Sequence, residues 1–163
     1  MHVGTLEILC YLSSYANHVK LEKTKEYLGD ILNGDRLVSG PYALYILVDK
    51  DLKILCRKML TKDEVTQFRR AVDKDYYFEM YYDELPVWGI IGRVENREET
   101  EDTNYYKYFL YKHIHFDNHY KMDRIIEITA RLDPHSVLDL TKDREVDAKF
   151  TYTIKWKGTY ILF

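Results

Sequence analysis

VDAKFTYTIKW, Val146 to Trp156, decides the class of fold. Val146, Ala148, Phe150, Tyr152, Ile154 and Trp156 alternate with Asp147, Lys149, Thr151, Thr153 and Lys155. A period of two places the first set on one face of an extended strand. RIIEITARL, Arg124 to Leu132, repeats the pattern: Ile126, Ile128 and Ala130 against Glu127, Thr129 and Arg131. Asp133-Pro134 then punctuates the chain as a turn.

Working outward, Tyr105 to Phe116 reads as one long aromatic strand. Residues 76 to 94 read as strand, break, strand. Tyr76, Tyr77, Phe78, Met80, Tyr81 and Tyr82 precede the acidic break Asp83-Glu84. Pro86 opens the second strand, where it has no ladder bond to donate. Gly89 and Gly92 mark bulges or close approaches. Residues 95 to 104 form an acidic loop. Tyr42 to Val48 and Leu52 to Arg57 suggest a hairpin around Asp49-Lys50-Asp51.

Two helices interrupt the strands. Residues 19 to 33 place Leu21, Leu28, Ile31 and Leu32 near one face, and Gly34 suits the position after the helix. Thr61 with Glu64 makes a capping box for a second helix. There Val65, Phe68 and Val72 point inward while Arg69, Arg70 and Lys74 face out. The expected fold is mainly β (α+β): an antiparallel β-sandwich-like domain of seven or eight strands with two short helices.

The chain has 163 residues, 46% hydrophobic and 31% charged, enough for one ordinary domain with a buried core. Sixteen tyrosines favour strands. A net charge of −3 disfavours a general nucleic-acid binder. No apolar run reaches the roughly 18 residues needed to cross a bilayer. The N-terminal residues make a poor signal peptide: a basic start is lacking and Glu7 interrupts the apolar run. No phosphate loop, dinucleotide-binding turn, nucleophile elbow or metalloprotease helix motif is present. Cys10 and Cys56 allow one disulfide or two unpaired buried thiols.

Three constellations invite a functional reading. His113, His115, Asp117 and His119 are close enough in sequence to hold zinc. Their spacing is not diagnostic, and strand packing beside the tyrosines explains them better, so no metal and no cofactor are expected. The acidic groups Asp83/Glu84 and Glu98/Glu99/Glu101/Asp102 read as solvated loops rather than paired catalytic carboxylates. Tyr76, Tyr77, Tyr81, Tyr82 and Trp88 form a candidate aromatic partner surface, with a sugar platform as the alternative use. Core packing competes with both. No nucleophile–base pair emerges, so no catalytic residue is assigned.

Four stretches resemble the nonaspanins, the transmembrane 9 superfamily or endomembrane protein 70 family, in its plant-like form. They are HVKLEKTKEYLGDILNGDRLVSGPY (18–42), 55–95, YKYFLYKHIHFDNHYKMDRIIEI (106–128) and DREVDAKFTYTIKWK (143–157). DYYFEMYYDELPVWGIIG (75–92) is the most specific. The resemblance implies a luminal domain over 18–157, preceding membrane helices in the family. It implies residence in Golgi and endosome membranes, sorting of membrane-protein cargo, and no enzymatic activity. Residues 1–17 depart from the family's signal peptide and its Pro-Phe-Cys segment, and 158–163 reads as a truncated end. Cys10 stands too far upstream of the family's cysteine position, so no Cys10–Cys56 bridge is expected.

Overall fold

The computed structural model describes residues 42–82, 85–96 and 106–159. Nine strands and one helix occur among them: β1 (Lys50–Leu60), α1 (Lys62–Asp73), β2 (Tyr77–Tyr82), β3 (Leu85–Ile90), β4 (Gly92–Asn96), β5 (Tyr106–Tyr111), β6 (His113–Lys121), β7 (Arg124–Leu132), β8 (Val137–Asp139) and β9 (Val146–Gly158). The helix expected over 19–33 lies outside the described residues, as do Cys10, the Asp83-Glu84 break, residues 97–104 of the acidic loop and Tyr105. The fold is mainly β and sandwich-like, as the alternating patterns imply.

Three sheets share one core. The largest has the order β1-β9-β6-β7; β2 pairs with β3, and β4-β5-β8 make the third. Every pairing is antiparallel except β6 with β9, which run parallel. A parallel pair needs a long crossover, and β7 and β8 lie within it. β9 keeps its expected alternation: Ala148, Phe150, Tyr152 and Ile154 are buried. They meet Phe116 and Ile128 from β6 and β7, and Leu60 from β1, in the same cluster.

The hairpin around residues 49–51 does not form. Residues 42–49 are not a strand, and β1 pairs with β9 instead. The turn sits earlier, where Val48 N–H donates to Tyr45 O at 3.2 Å. Asp49 serves β9: its Oδ1 accepts from Trp156 N–H at 2.9 Å, and Lys155 Nζ lies 2.7 Å from Asp51. Tyr42 turns inward, with ring centroids 5.1 Å from Phe116 and 5.3 Å from Tyr152. The thirteen-residue β9 offers β1 a longer ladder than the seven-residue segment Tyr42 to Val48 could.

Two expected strands are each broken by a corner. The segment after Pro86 divides at Ile91 into β3 and β4, and the 105–116 strand divides at Lys112 into β5 and β6. Ile91 N–H donates to Tyr76 O at 3.1 Å, and its carbonyl accepts from Tyr111 N–H at 2.9 Å. Lys112 N–H donates to Ser136 O at 3.0 Å, and its carbonyl accepts from Thr151 N–H at 2.9 Å. Each corner residue thus spends its donor and its acceptor on different segments.

α1 carries the expected capping box: Thr61 Oγ1 accepts from Glu64 N–H, and Glu64 Oε2 accepts from Thr61 N–H at 2.9 Å. Val65, Phe68, Ala71 and Val72 are buried. Arg69 does not face out. Its Nε donates to Leu140 O at 2.8 Å and its Nη2 lies 2.6 Å from Asp143. Gly92 is where the sheet meets the helix: a Cβ there would collide with Val72 Cγ2 at 2.6 Å and with Phe109 O.

Cys56 is disulfide-bonded, which overturns the expectation that no bridge forms. Cys10 is the only other cysteine of the sequence. The displacement of a cysteine along the sequence does not fix its distance from a partner in space.

Phe68 is 7% exposed at the centre of the helix stripe. Phe68→Ala should therefore cost about 3–5 kcal/mol in urea melts; a loss of less than about 1 kcal/mol would show the helix poorly packed on the sheets.

Candidate functional site

β2 and β3 form a two-faced hairpin. The register pairs Tyr77 with Ile90, Phe78 with Gly89, Glu79 with Trp88, Met80 with Val87 and Tyr81 with Pro86. Opposed residues share a face. Phe78, Met80, Tyr82, Val87 and Gly89 therefore turn inward, and Phe78 and Val87 are fully buried. Tyr77, Glu79, Tyr81, Pro86, Trp88 and Ile90 turn outward. On that face Trp88 is 63% exposed, Tyr81 52% and Ile90 45%.

The five aromatics singled out in the sequence are thereby divided. Tyr77, Tyr81 and Trp88 share the outer face. Tyr76 and Tyr82 pack against the core, and Tyr82 Oη donates to Leu44 O at 3.3 Å. Pro86 and Ile90 belong to the outer face and were not singled out. Strand alternation from Trp88 marks both: they stand two residues to either side. Tyr81 Oη donates to Glu79 Oε1 at 3.1 Å, which orients a ring and a carboxylate on the same surface.

Gly89 sets how the hairpin sits. A Cβ on it would lie 2.7 Å from Leu132 Cδ2 and 2.9 Å from Phe78 Cζ. Its missing side chain lets β3 approach β7. Between these two strands runs a cleft of 710 Å³, lined by β3, by Ile126 to Ala130 of β7, and by Tyr111 and Leu132.

The histidine cluster does share a strand face, since residues 113, 115, 117 and 119 alternate along β6. Among the described residues His113 and Asp117 have hydrogen-bond partners, whereas His115 and His119 have close neighbours only. His113 Nδ1 is 2.7 Å from Thr151 Oγ1, and its Nε2 is 3.1 Å from Thr153 Oγ1. Its ring stacks edge-on to His115 at 4.4 Å. Asp117 accepts from Arg131 Nε at 3.0 Å, and His119 lies 3.3 Å from Glu127. Among the described residues no three His, Cys, Asp or Glu side chains come together as metal ligands.

Burial pushes the His113 imidazole below its usual pKa of 6.5, with His115 adding to the effect; Asp133 opposes it and Arg131 reinforces it. The neutral ring donates at one nitrogen and accepts at the other, and the two hydroxyls rotate to match.

Comparison with known proteins gives a consistent result. The endomembrane protein 70 family profile matches residues 9–162. Transmembrane 9 superfamily member 3 of Arabidopsis thaliana is 59% identical over 139 residues, covering 85% of this chain and 23% of the relative. Member 4 of the same plant is 47% identical, covering 91% and 25%. Member 1 of Rattus norvegicus is 32% identical, covering 82% and 23%. The chain thus spans about a quarter of the length of these curated relatives. No solved structure gives a significant match. Among the described residues no helix is long and apolar enough to cross a membrane.

The lowered pKa of His113 has a sign. The unfolded chain takes up this proton near pH 6.5, where the folded chain resists it. Stability from this group is present above that pH and is lost as pH falls toward the lower folded value. Between about pH 7.5 and about pH 5 the urea midpoint of the native chain should fall more than that of His113→Gln. Equal falls would remove His113 as the source.

Proposed function

The chain belongs to the endomembrane protein 70 family, the transmembrane 9 superfamily, and from that premise we propose that it is a luminal, non-catalytic domain that recognises membrane-protein cargo in the Golgi and endosomes. The outer face of the β2–β3 hairpin carries the reading. Tyr81, Trp88 and Ile90 are exposed together on a hairpin whose inner face is locked into the core. Rigid aromatic and aliphatic side chains in one patch present large contact area at low entropy cost. Tyr77 completes the surface from the hydrogen-bonded partner strand.

The disulfide at Cys56 supports the luminal part of this reading. Disulfides persist in the oxidising secretory compartments and are rare in the cytosol. The domain's work is then binding rather than bond-making: its aromatics offer surface, and His113 is engaged by two threonines and the His115 ring. Sorting requires weak, reversible contacts with many partners, and an exposed apolar patch on a stable sheet supplies them.

Two measurements test the proposal. Tyr81→Ser, Trp88→Ser and Ile90→Ser, introduced together into a full-length family member, should leave the melting temperature within a few degrees. They should lower delivery of membrane cargo to the cell surface; unchanged delivery would exclude this face as the cargo site. Non-reducing mass spectrometry of the chain made in the secretory pathway should find Cys56 oxidised. A freely alkylated Cys56 thiol in folded protein would count against luminal residence.

A further inference from the structure

We propose that the turn Tyr45–Val48 docks on a lipid bilayer, setting its aliphatic apex among the acyl chains just below the headgroups. The inference goes beyond the cargo surface of the hairpin. It rests on the luminal reading only for its setting, a membrane close to the domain.

The turn breaks the rules that a water-facing turn obeys. Tyr45, Ile46, Leu47 and Val48 follow one another without a polar residue, and each is exposed, between 46% and 61%. Turns in water are built mainly from Gly, Asn, Asp, Ser and Pro. A run of four exposed apolar residues is kept where a function needs it. The backbone adds a second anomaly. Val48 N–H donates to Tyr45 O at 3.2 Å, which makes Leu47 the third residue of the turn, with φ at 60°. That left-handed conformation suits Gly or Asn and strains leucine. Leu52, near the start of β1, repeats the combination: φ is 40° and the side chain is exposed. The fold thus holds two leucines out in water at a cost to itself, and such local costs collect at functional sites.

The order of the side chains selects the occupant. Ile46 and Leu47 form the apex. Tyr45 stands one step back, its ring centroid 4.5 Å from Lys50 Nζ, and that ammonium donates to Ala43 O at 2.5 Å. Lys50 thereby ties the two arms of the turn together. Lys53 is exposed farther along β1. Aliphatic, aromatic, cationic is the order in which a bilayer presents acyl chains, interface and phosphates. The nearby carboxylates do not oppose it. Asp49 and Asp51 lie against Lys155, at 3.5 and 2.7 Å, and Asp49 also accepts from Trp156 N–H. Lys50, Lys53 and Lys155 against these two carboxylates leave the base of the turn net positive. A narrow turn also suits a yielding surface: its backbone stays at the wet boundary while its side chains enter.

The test floats the whole chain with vesicles of phosphatidylcholine. The native chain should rise with the lipid, increasingly so as lipid is added. Leu47→Asn should weaken this partition about fivefold. Its melting temperature should hold or rise, because Asn accepts the left-handed backbone more readily than Leu. In Leu47→Trp the added indole should be quenched by acyl-brominated phosphatidylcholine well beyond the native chain, where only Trp88 and Trp156 report. A native chain that stays behind, or a Leu47→Asn variant that partitions equally, would overturn the docking. So would a self-associated native chain that Leu47→Asn makes monomeric, since a second copy would then cover the turn. A melting temperature lowered by several degrees in Leu47→Asn would show the leucine packed inward and would overturn it too. The Tyr81/Trp88/Ile90 variant should partition normally; its failure would move the docking to the hairpin. Partition on vesicles with normal cargo delivery by that variant keeps this inference and ends the cargo reading. Failed delivery without partition does the reverse.

Discussion

Two single-residue corners govern this fold. At Ile91 and at Lys112 the chain leaves one sheet and enters another without a loop. A buried backbone turn of this kind is tolerable only if its amide and carbonyl find partners. Ile91 reaches the segment before β2 and the end of β5; Lys112 reaches the segment before β8 and the middle of β9. These four bonds link all three sheets, and the shared core fills the space between them. Gly92 follows the first corner because Val72 and the Phe109 carbonyl occupy the place of its side chain. The helix can therefore lie against β4 and β5 only with glycine there.

The same arrangement makes the hairpin a usable surface. β2 and β3 belong to neither larger sheet, yet Phe78 and Val87 anchor them in the common core. Gly89 brings them against Leu132 without a ladder to β7. The outcome is a ribbon with one face buried and one face in water. Side chains held on such a ribbon are already ordered, so little ordering entropy would oppose an association there. The family relationship gives such a surface a setting, since the relatives are named as transmembrane proteins.

The stability of the domain is unevenly sensitive to pH and redox state. His113 is buried between two threonines beside a second histidine, so acidification burdens the centre of the largest sheet. Arg57 and Asp147, by contrast, form their ion pair in solvent, where such pairs contribute little. The Cys56 disulfide acts on the unfolded chain by limiting its freedom, whatever the packing around it.

Much of this was legible in the sequence because local rules govern it. The alternation of 146–156 and 124–132, the Thr61–Glu64 capping box, the Val65/Phe68/Val72 stripe and the close-approach role of Gly89 and Gly92 all stand in the structure. Each depends on a period or a cap that neighbouring residues set by themselves. The family assignment was equally legible, since it rests on order and identity along the chain. Tertiary structure decided the rest. The apolar character of 87–94 and of 105–116 runs through both corners, and only the competition for backbone partners breaks the strands there. Tyr42 to Val48 has the composition of a strand, but β1 gains more by pairing with β9, ninety residues or so away in sequence. The division of Tyr76 and Tyr82 from Tyr77, Tyr81 and Trp88 follows from which face of the hairpin meets the core, and no run of tyrosines carries that information. Periodicity names the faces of a strand; only packing chooses which of them is buried.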